Sequence, residues 1–406
     1  MAVAVDLADP DAFLDGPPHE GLAELRRTDP VYFQEMEDGG FWAVLKHADV
    51  VKVAKSPGLF SASEGGVVLE TLSPEQVQQM RGMLLAMDPP RHLDYRRPML
   101  AHFGRHVIGR MEEQIRAVCV GIMDKVDASS EVEFVHDVTA DLPSQVIGNL
   151  MGLPKEDWGY IHELSERNTS GQDADYASDD GNANMDMAIY AIRLAQQRRT
   201  MEPQPDLTSV ILGTEFGGHL MDDIEFGSFF VQLVTAGNDT TKTMLSSGIH
   251  ALLTHPDQLQ ELRDDPSLVP GAVEEILRWA NPLHYFRRTA MAETTLRGVT
   301  IKPGDKVAMY YTSANRDEEV FADSQEFDIH RTPNPHLAFG IAEHFCLGVH
   351  LARLEGKVFF EELLGRFSDI ELAGEPVRVR SNLNNAYKRL PVRLVRQEPA
   401  RAAAGA

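Results

Sequence analysis

Helical periodicity runs through most of the 406-residue sequence and strand signals are few and clustered, so a mainly α chain with small β-sheets is expected. The segment QIRAVCVGIMDKV carries the helical signal: Ile115, Val118, Cys119, Ile122, Met123 and Val126 recur at three- and four-residue steps, one face of a helix. A longer pattern covers residues 229–253, FFVQLVTAGNDTTKTMLSSGIHALL. Strand character is confined to FWAVL near residue 41 and to TLRGVTIKPGDKVAMYY, where Pro303, Gly304 and Asp305 read as a turn between two strands.

Composition excludes some functions. Acidic residues outnumber basic ones, 62 to 38, and the net charge of −24 argues against a nucleic-acid binder. The N-terminus MAVAVDLADPDAFLDG has no signal-peptide pattern and no 18-residue apolar run follows, so a cytoplasmic location without a membrane anchor is expected. The length leaves the domain count open, and the 43% hydrophobic content is enough for a large core. A polar, acidic stretch over 168–186 is expected as a mobile lid between two helices, and the tail PARAAAGA as frayed. Two cysteines far apart do not make a disulfide framework. Cys119 lies on the apolar stripe and reads as a small core hydrophobe.

Cys346 is different. It stands in AFGIAEHFCLGVHLARLE, residues 338–355, between a glycine-bearing loop and the start of a helix, where unpaired N–H groups and the helix dipole favour a thiolate. Zinc needs about four ligands and no second cysteine is near. An iron–sulfur cluster needs about four cysteines, and the chain has two. One thiolate is enough for haem. Taken alone, the segment also fits a buried or helix-capping cysteine.

The run F-G-x-x-x-H-x-C-x-G-x-x-L-A-R-x-E from Phe339 to Glu355 resembles the haem-binding loop of the cytochrome P-450 family, the haem-thiolate monooxygenases, in its soluble bacterial class. One departure is Ala342, where the family pattern has glycine. Three further stretches occur in the family's order, so the resemblance covers nearly the whole chain. It implies one domain over 1–395 with a frayed tail, 396–406, and a triangular prism holding haem b between the long central helix and the cysteine-loop helix. Cys346 is the implied iron ligand, with Phe339, Gly340, His344 and Gly348 around the cofactor.

The long helix matches the family's A-G-x-D-T-T motif. A glycine followed by Asp-Thr-Thr is unfavourable in mid-helix, a local conflict that hints at function. Ala236 and Gly237 would let the flat macrocycle and O2 approach, while Asp239 and Thr240 are implied as the catalytic pair, for proton delivery and oxygen activation. In AVEEILRWANP, Glu275 and Arg278 lie one turn apart, a weak signal by itself. The resemblance makes them a structural pair completed by Arg331 of FDIHR. It also implies His92, Arg96, Arg288 and His336 as partners of the haem propionates, with His344 at the rim. A substrate pocket is implied from Val67, Val68, Met83, Leu84, Val234, Leu283, Phe286 and Ala386, mostly apolar positions.

The implied activity is hydroxylation of a lipophilic small molecule, terpenoid, steroid or fatty-acid-like, with O2 and two electrons. No dinucleotide fingerprint is present, so a separate ferredoxin or flavodoxin with its NAD(P)H reductase is expected, docking near Arg353, Arg105 and Arg97 on a monomer. Competing readings are a haem carrier or sensor without turnover, a peroxide-driven peroxygenase, which the Asp239–Thr240 pair speaks against, and a haem-free helical scaffold.

Overall fold

The longest element is a helix of 31 residues, Asp223–Leu253, about 46 Å from end to end. Its start is fixed by a capping box: the Asp222 carboxylate accepts from the Ile224 and Glu225 amides, and the Asp222 amide donates to Glu225. Nineteen of its residues are buried, which is why it reads as apolar almost all round. The computed structural model describes residues 5–126, 131–176 and 182–397.

Eight helices frame the site: α1 (Arg91–Phe103), α2 (Glu112–Lys125), α3 (Asp141–Met151), α4 (Trp158–Thr169), α5 (Ala183–Arg198), α6 (the long helix, Asp223–Leu253), α7 (Val269–Ala280) and α8 (Val349–Arg366). Helices α3, α4, α5, α7 and α8 all pack on α6. The α6–α8 crossing is close because glycines sit at it. A Cβ on Gly248 would lie 2.7 Å from Phe360, and one on Gly356 would lie 3.0 Å from Met244. The largest apolar cluster surrounds α6 and includes Cys119, whose thiol burial pushes up to about 12. Among the described residues no helix is long and apolar enough to cross a membrane.

The strands are short. A five-stranded sheet joins β1 (Val31–Gln34), β2 (Phe41–Val44), β3 (Phe60–Ser61), β5 (Tyr285–Ala290) and β6 (Lys306–Tyr310) in the order β1-β2-β6-β5-β3. Strands β2 and β6 run parallel, with Val307 opposite Trp42, and β5 runs antiparallel to β6. The turn expected at Pro303–Asp305 does connect two strands, Val299–Ile301 and β6. A three-stranded sheet has the order β7-β8-β4, from β4 (Glu131–Glu133), β7 (Phe367–Leu372) and β8 (Pro391–Arg396).

Two expectations need correction. The tail expected from 396 starts too early, because Arg396 pairs with Phe367 at the end of β8 and the Gln397 amide donates to the Arg366 carbonyl; residues 398–406 lie outside the described set. The acidic stretch is pinned at its start: α4 continues to Thr169, and the buried Asp173 carboxylate takes Lys388 at 3.0 Å and the Arg380 amide at 2.9 Å. The expected lid therefore cannot begin at 168; residues 177–181 lie outside the described set.

Candidate active site

One side of α6 forms a wall. Gln232, Leu233, Ala236, Gly237, Thr240, Thr241 and Met244 follow the helical repeat and line a cavity between α6 and the cysteine loop. The opposite wall is made by Phe339, Gly340, Cys346, Leu347 and Gly348 of the loop and by Leu351, Ala352 and Glu355 of α8.

The loop that carries Cys346 is folded tightly on itself. The Cys346 amide donates to the Phe339 carbonyl at 2.8 Å, the Phe345 amide to the Ala342 carbonyl at 3.1 Å, and the Gly340 amide to the Leu337 carbonyl at 2.9 Å. Gly340 has φ +65° and Ala342 has φ +61°. Ala342 therefore adopts the left-handed conformation in which an L side chain costs about 1–2 kcal/mol, which explains why a glycine suits this position. Arg353 stabilises the loop from α8: its guanidinium lies 4.9 Å over the Phe339 ring and forks onto Glu274 at 2.6 and 2.7 Å.

Burial pushes the Cys346 thiol up, and the Gly348 amide, Arg96 and Arg353 offset only part of that. The helix-terminus effect anticipated from the sequence is thus outweighed by desolvation. A bound metal ion deprotonates a coordinating thiol outright and supplies what the helix terminus does not.

At one end of the cavity four cationic or donor side chains converge. The His92 and His344 rings lie 4.3 Å apart, centroid to centroid, tilted by 41°, and neither nitrogen of the buried His92 has a partner. Burial, with Arg96 and Arg288 nearby, holds His92 at about 4 and His344 at about 2. Arg96 donates to the Phe345 carbonyl and Arg288 to the Arg287 carbonyl, and neither guanidinium pairs with a carboxylate of the described residues. A buried Arg288, a half-buried Arg96 without a carboxylate and an orphaned His92 imidazole around one cavity call for an anionic group. The two propionates of haem b would meet that requirement, with His92, Arg96, Arg288 and His344 placed to hold them and Cys346 on the loop wall placed to take the iron. The residues present fit the group.

His336 does not join this cluster. Its Nε2 faces Glu274 at 3.1 Å and its Nδ1 accepts from the Ala338 amide at 3.3 Å, so both nitrogens are spent on the protein and it does not line the cavity. The implied propionate role is corrected to a loop contact.

On the α6 side, the Thr240 hydroxyl faces the cavity and donates to the Ala236 carbonyl at 2.7 Å. The added Cβ of Gly237 would meet Ile147 of α3 at 3.2 Å, so glycine here also admits a neighbouring helix. Asp239 is one residue from Thr240 but about 100° around the helix, outside the cavity lining. There it pairs with Lys242 at 2.9 Å, which also holds Glu166 of α4 at 2.6 Å, with His162 3.5 Å beyond. Burial raises the Asp239 pKa against the pull of Lys242. Glu166 is also raised by burial, but Lys242 and His162 bring it below the usual range. One buried ammonium thus serves two carboxylates, and Asp239 is the one that holds a proton more tightly.

The remaining sequence-derived positions divide. Leu84, Leu283 and Phe286 line the cavity; Val67, Val68, Met83, Val234 and Ala386 do not. Val234 is fully buried on another side of α6, Ala386 and Val67 are buried, and Val68 packs with Phe286 and Leu85 behind the wall. Met83 packs partly buried on the main core. Glu275, Arg278 and Arg331 do come together: Arg278 forks onto Glu275 at 2.8 and 2.6 Å, and Arg331 Nε adds contacts at 3.2 and 3.3 Å. Arg105 and Arg97 are exposed, whereas Arg353 is engaged with Glu274.

Sequence reasoning missed Gln232, Lys242, Glu166 and Glu355. Gln232 was legible as the position four residues before Ala236 on the same stripe, and Lys242 as the position three after Asp239. Glu355 closes the quoted cysteine motif. Glu166 has no local signal, since only tertiary packing brings α4 to α6.

Comparison with known proteins agrees with this geometry. Residues 181–384 match the family model for cytochrome P450. The chain is 34% identical over 395 residues to a steroid C26-monooxygenase of Mycolicibacterium smegmatis, covering 94% of this chain and 92% of the relative. It is 35% identical to cytochrome P450-terp of a Pseudomonas species, covering 92% of each. The solved Mycobacterium marinum cytochrome P450 CYP268A2 in complex with pseudoionone superposes with a TM-score of 0.88 at 34% identity, covering 97% of this chain and 99% of that one. A cysteine loop facing a Thr240-bearing helix, with unpaired cations at the rim and full-length similarity of this order, has one explanation: the chain belongs to the cytochrome P450 family, haem-b monooxygenases.

Proposed function

We propose that this monooxygenase hydroxylates a neutral lipophilic small molecule of the steroid or terpenoid class, with Cys346 as the iron ligand and Asp239 and Thr240 as the proton-handling pair. The observation that carries the reading is the cavity itself, with Cys346 and Thr240 on facing walls, the cation cluster at the rim, and Leu84, Leu85, Leu283, Phe286 and Pro282 lining the guest's space. The steroid C26-monooxygenase among the relatives and the pseudoionone complex among the solved structures support the same class of guest.

Haem b, when bound, supplies the activation of O2 that inserts one oxygen atom into a C–H bond. His92, Arg96, Arg288 and His344 hold its propionates, and the apolar wall orients the guest and excludes water. The Thr240 hydroxyl positions a proton at the cavity face of α6. Asp239 lies on the adjacent face beside Lys242, where burial raises its pKa above that of an exposed carboxyl.

Electrons come from a separate ferredoxin or flavodoxin with its NAD(P)H reductase, docking near the exposed Arg105 and Arg97, with the protein a one-domain cytoplasmic monomer. The deciding experiment titrates haem-loaded protein with a panel of terpenoids, steroids and fatty acids, reads the optical shift of the haem band, and identifies products with a surrogate ferredoxin and reductase. Tight binding and single hydroxylation of a steroid or terpenoid are expected. A normal thiolate-type ferrous carbonyl band with no shift and no product from any steroid or terpenoid would refute the substrate class.

A further inference from the structure

The part of the cavity formed by Leu84, Leu85, Leu283 and Phe286 is hydrocarbon, with one exception. Gln232 of α6 lines it alongside Leu85. The Leu85 amide donates to Gln232 Oε1 at 3.3 Å, and this contact settles the orientation of the side-chain amide, because a backbone N–H must face the oxygen. Nε2, a double donor on this half-buried side chain, makes no hydrogen bond to the described residues. An unused donor on an apolar wall is a recognition element, since a guest that lacks an acceptor leaves it unpaired.

The chemistry of that guest follows from what is absent around the amide. Arg96 and Arg288 are the only guanidiniums lining the cavity, no lysine lines it, and both arginines belong to the rim cluster with His92 and His344. A carboxylate beside Gln232 would therefore be desolvated without a counter-charge, which is far more costly than burying a ketone or hydroxyl oxygen. Gln232 precedes Thr240 by eight residues on one stripe, about 12 Å along the helix axis.

We propose that Gln232 is a specificity-determining anchor: Nε2 donates to a neutral oxygen, ketone or hydroxyl, at one end of the substrate and directs oxidation to the far end, toward Thr240. This deepens the proposed function and rests on it.

The test uses haem-loaded full-length protein and three ligands of equal carbon count: a linear methyl ketone, the alkane and the fatty acid. Optical titration gives three dissociation constants for the wild type, Gln232→Met and Gln232→Glu. Methionine keeps the length without a donor, and glutamate, titrated at a pH high enough to ionise it, keeps the acceptor for the Leu85 amide while removing both donors. The wild type should favour the ketone over the alkane by about tenfold, the scale of one neutral hydrogen bond, and over the fatty acid by more. Both variants should lose the ketone-to-alkane ratio, and products of the wild-type ketone reaction should be oxidised near the far end while those of the variants scatter. An unchanged ratio in both variants, or a wild type that prefers the fatty acid, overturns the anchor. A variant that loses the thiolate-type carbonyl band is misfolded, and the other variant then decides. A wild type that shifts with no ligand while keeping that band counts against the proposed function instead.

Discussion

Glu355→Gln is the substitution whose effect can be worked out most fully. Glu355 is 2% exposed on α8, near Cys119 and facing Thr241 across the α6–α8 contact, and its Oε1 has no partner. Burial raises its pKa from an ordinary 4.5 to about 8, and the Thr241 hydrogen bond offsets only part of the shift. The folded state therefore binds a proton that the unfolded state releases between pH 4.5 and about pH 8. Stability that is full below pH 4.5 falls as pH rises and is lost once the folded carboxyl ionises. A gap of about 3.5 pH units at 1.36 kcal/mol each amounts to about 5 kcal/mol. Glutamine does not titrate, so the variant should lack this slope whatever its absolute stability. Urea midpoints of haem-loaded wild type and variant, followed by the haem band across this pH range, should diverge by roughly that amount, with the variant gaining as pH rises. Parallel curves would show that Glu355 is solvated or paired in solution, contrary to its placement here.

Three further substitutions test other parts of the site. Ala342→Gly removes the left-handed strain at φ +61° and should raise stability by about 0.5–1 kcal/mol net of the added chain entropy, read from urea midpoints; a loss would mean the loop depends on the Ala342 methyl. Glu275→Gln leaves Arg278 and Arg331 buried without a counter-charge and should cost about 3–5 kcal/mol in thermal unfolding; a cost under about 1 kcal/mol would contradict a buried network. Thr240→Ala should retain haem yet divert reductant from product into hydrogen peroxide, and an unchanged ratio of product to NAD(P)H consumed would remove the role given to this hydroxyl.

What the sequence revealed depended on the range of the interaction. The helical stripe around Ile115–Met123 and the turn at Pro303–Asp305 are local patterns, and both match the structure. Cys346, Phe339 and His344 were legible because the loop is one short segment with fixed spacing. The pocket was read less well. Val234 lies only two residues from Gln232 and Ala236, yet two residues on a helix is about 200°, and that rotation sends Val234 into the core. His336 stands three before Phe339, but a contact between α7 and α8 through Glu274 claims its imidazole, and sequence spacing cannot show that. For Cys346 the helix position is likewise local, whereas the burial that raises the metal-free thiol is tertiary.

The placement of Asp239 carries a mechanistic constraint. Consecutive residues on α6 point to different compartments, Thr240 to the cavity and Asp239 to the buried cluster with Lys242, Glu166 and His162. A carboxyl left open in the apolar cavity would stay protonated, because no cation there balances its ionised form. Withdrawn around the helix, Asp239 has Lys242 beside it, whose charge favours the ionised form while burial raises its pKa, and it would have to turn about Cβ to reach the Thr240 side. The balance at Asp239 then depends on how Lys242 is shared with Glu166, a contact made only because α4 packs on α6.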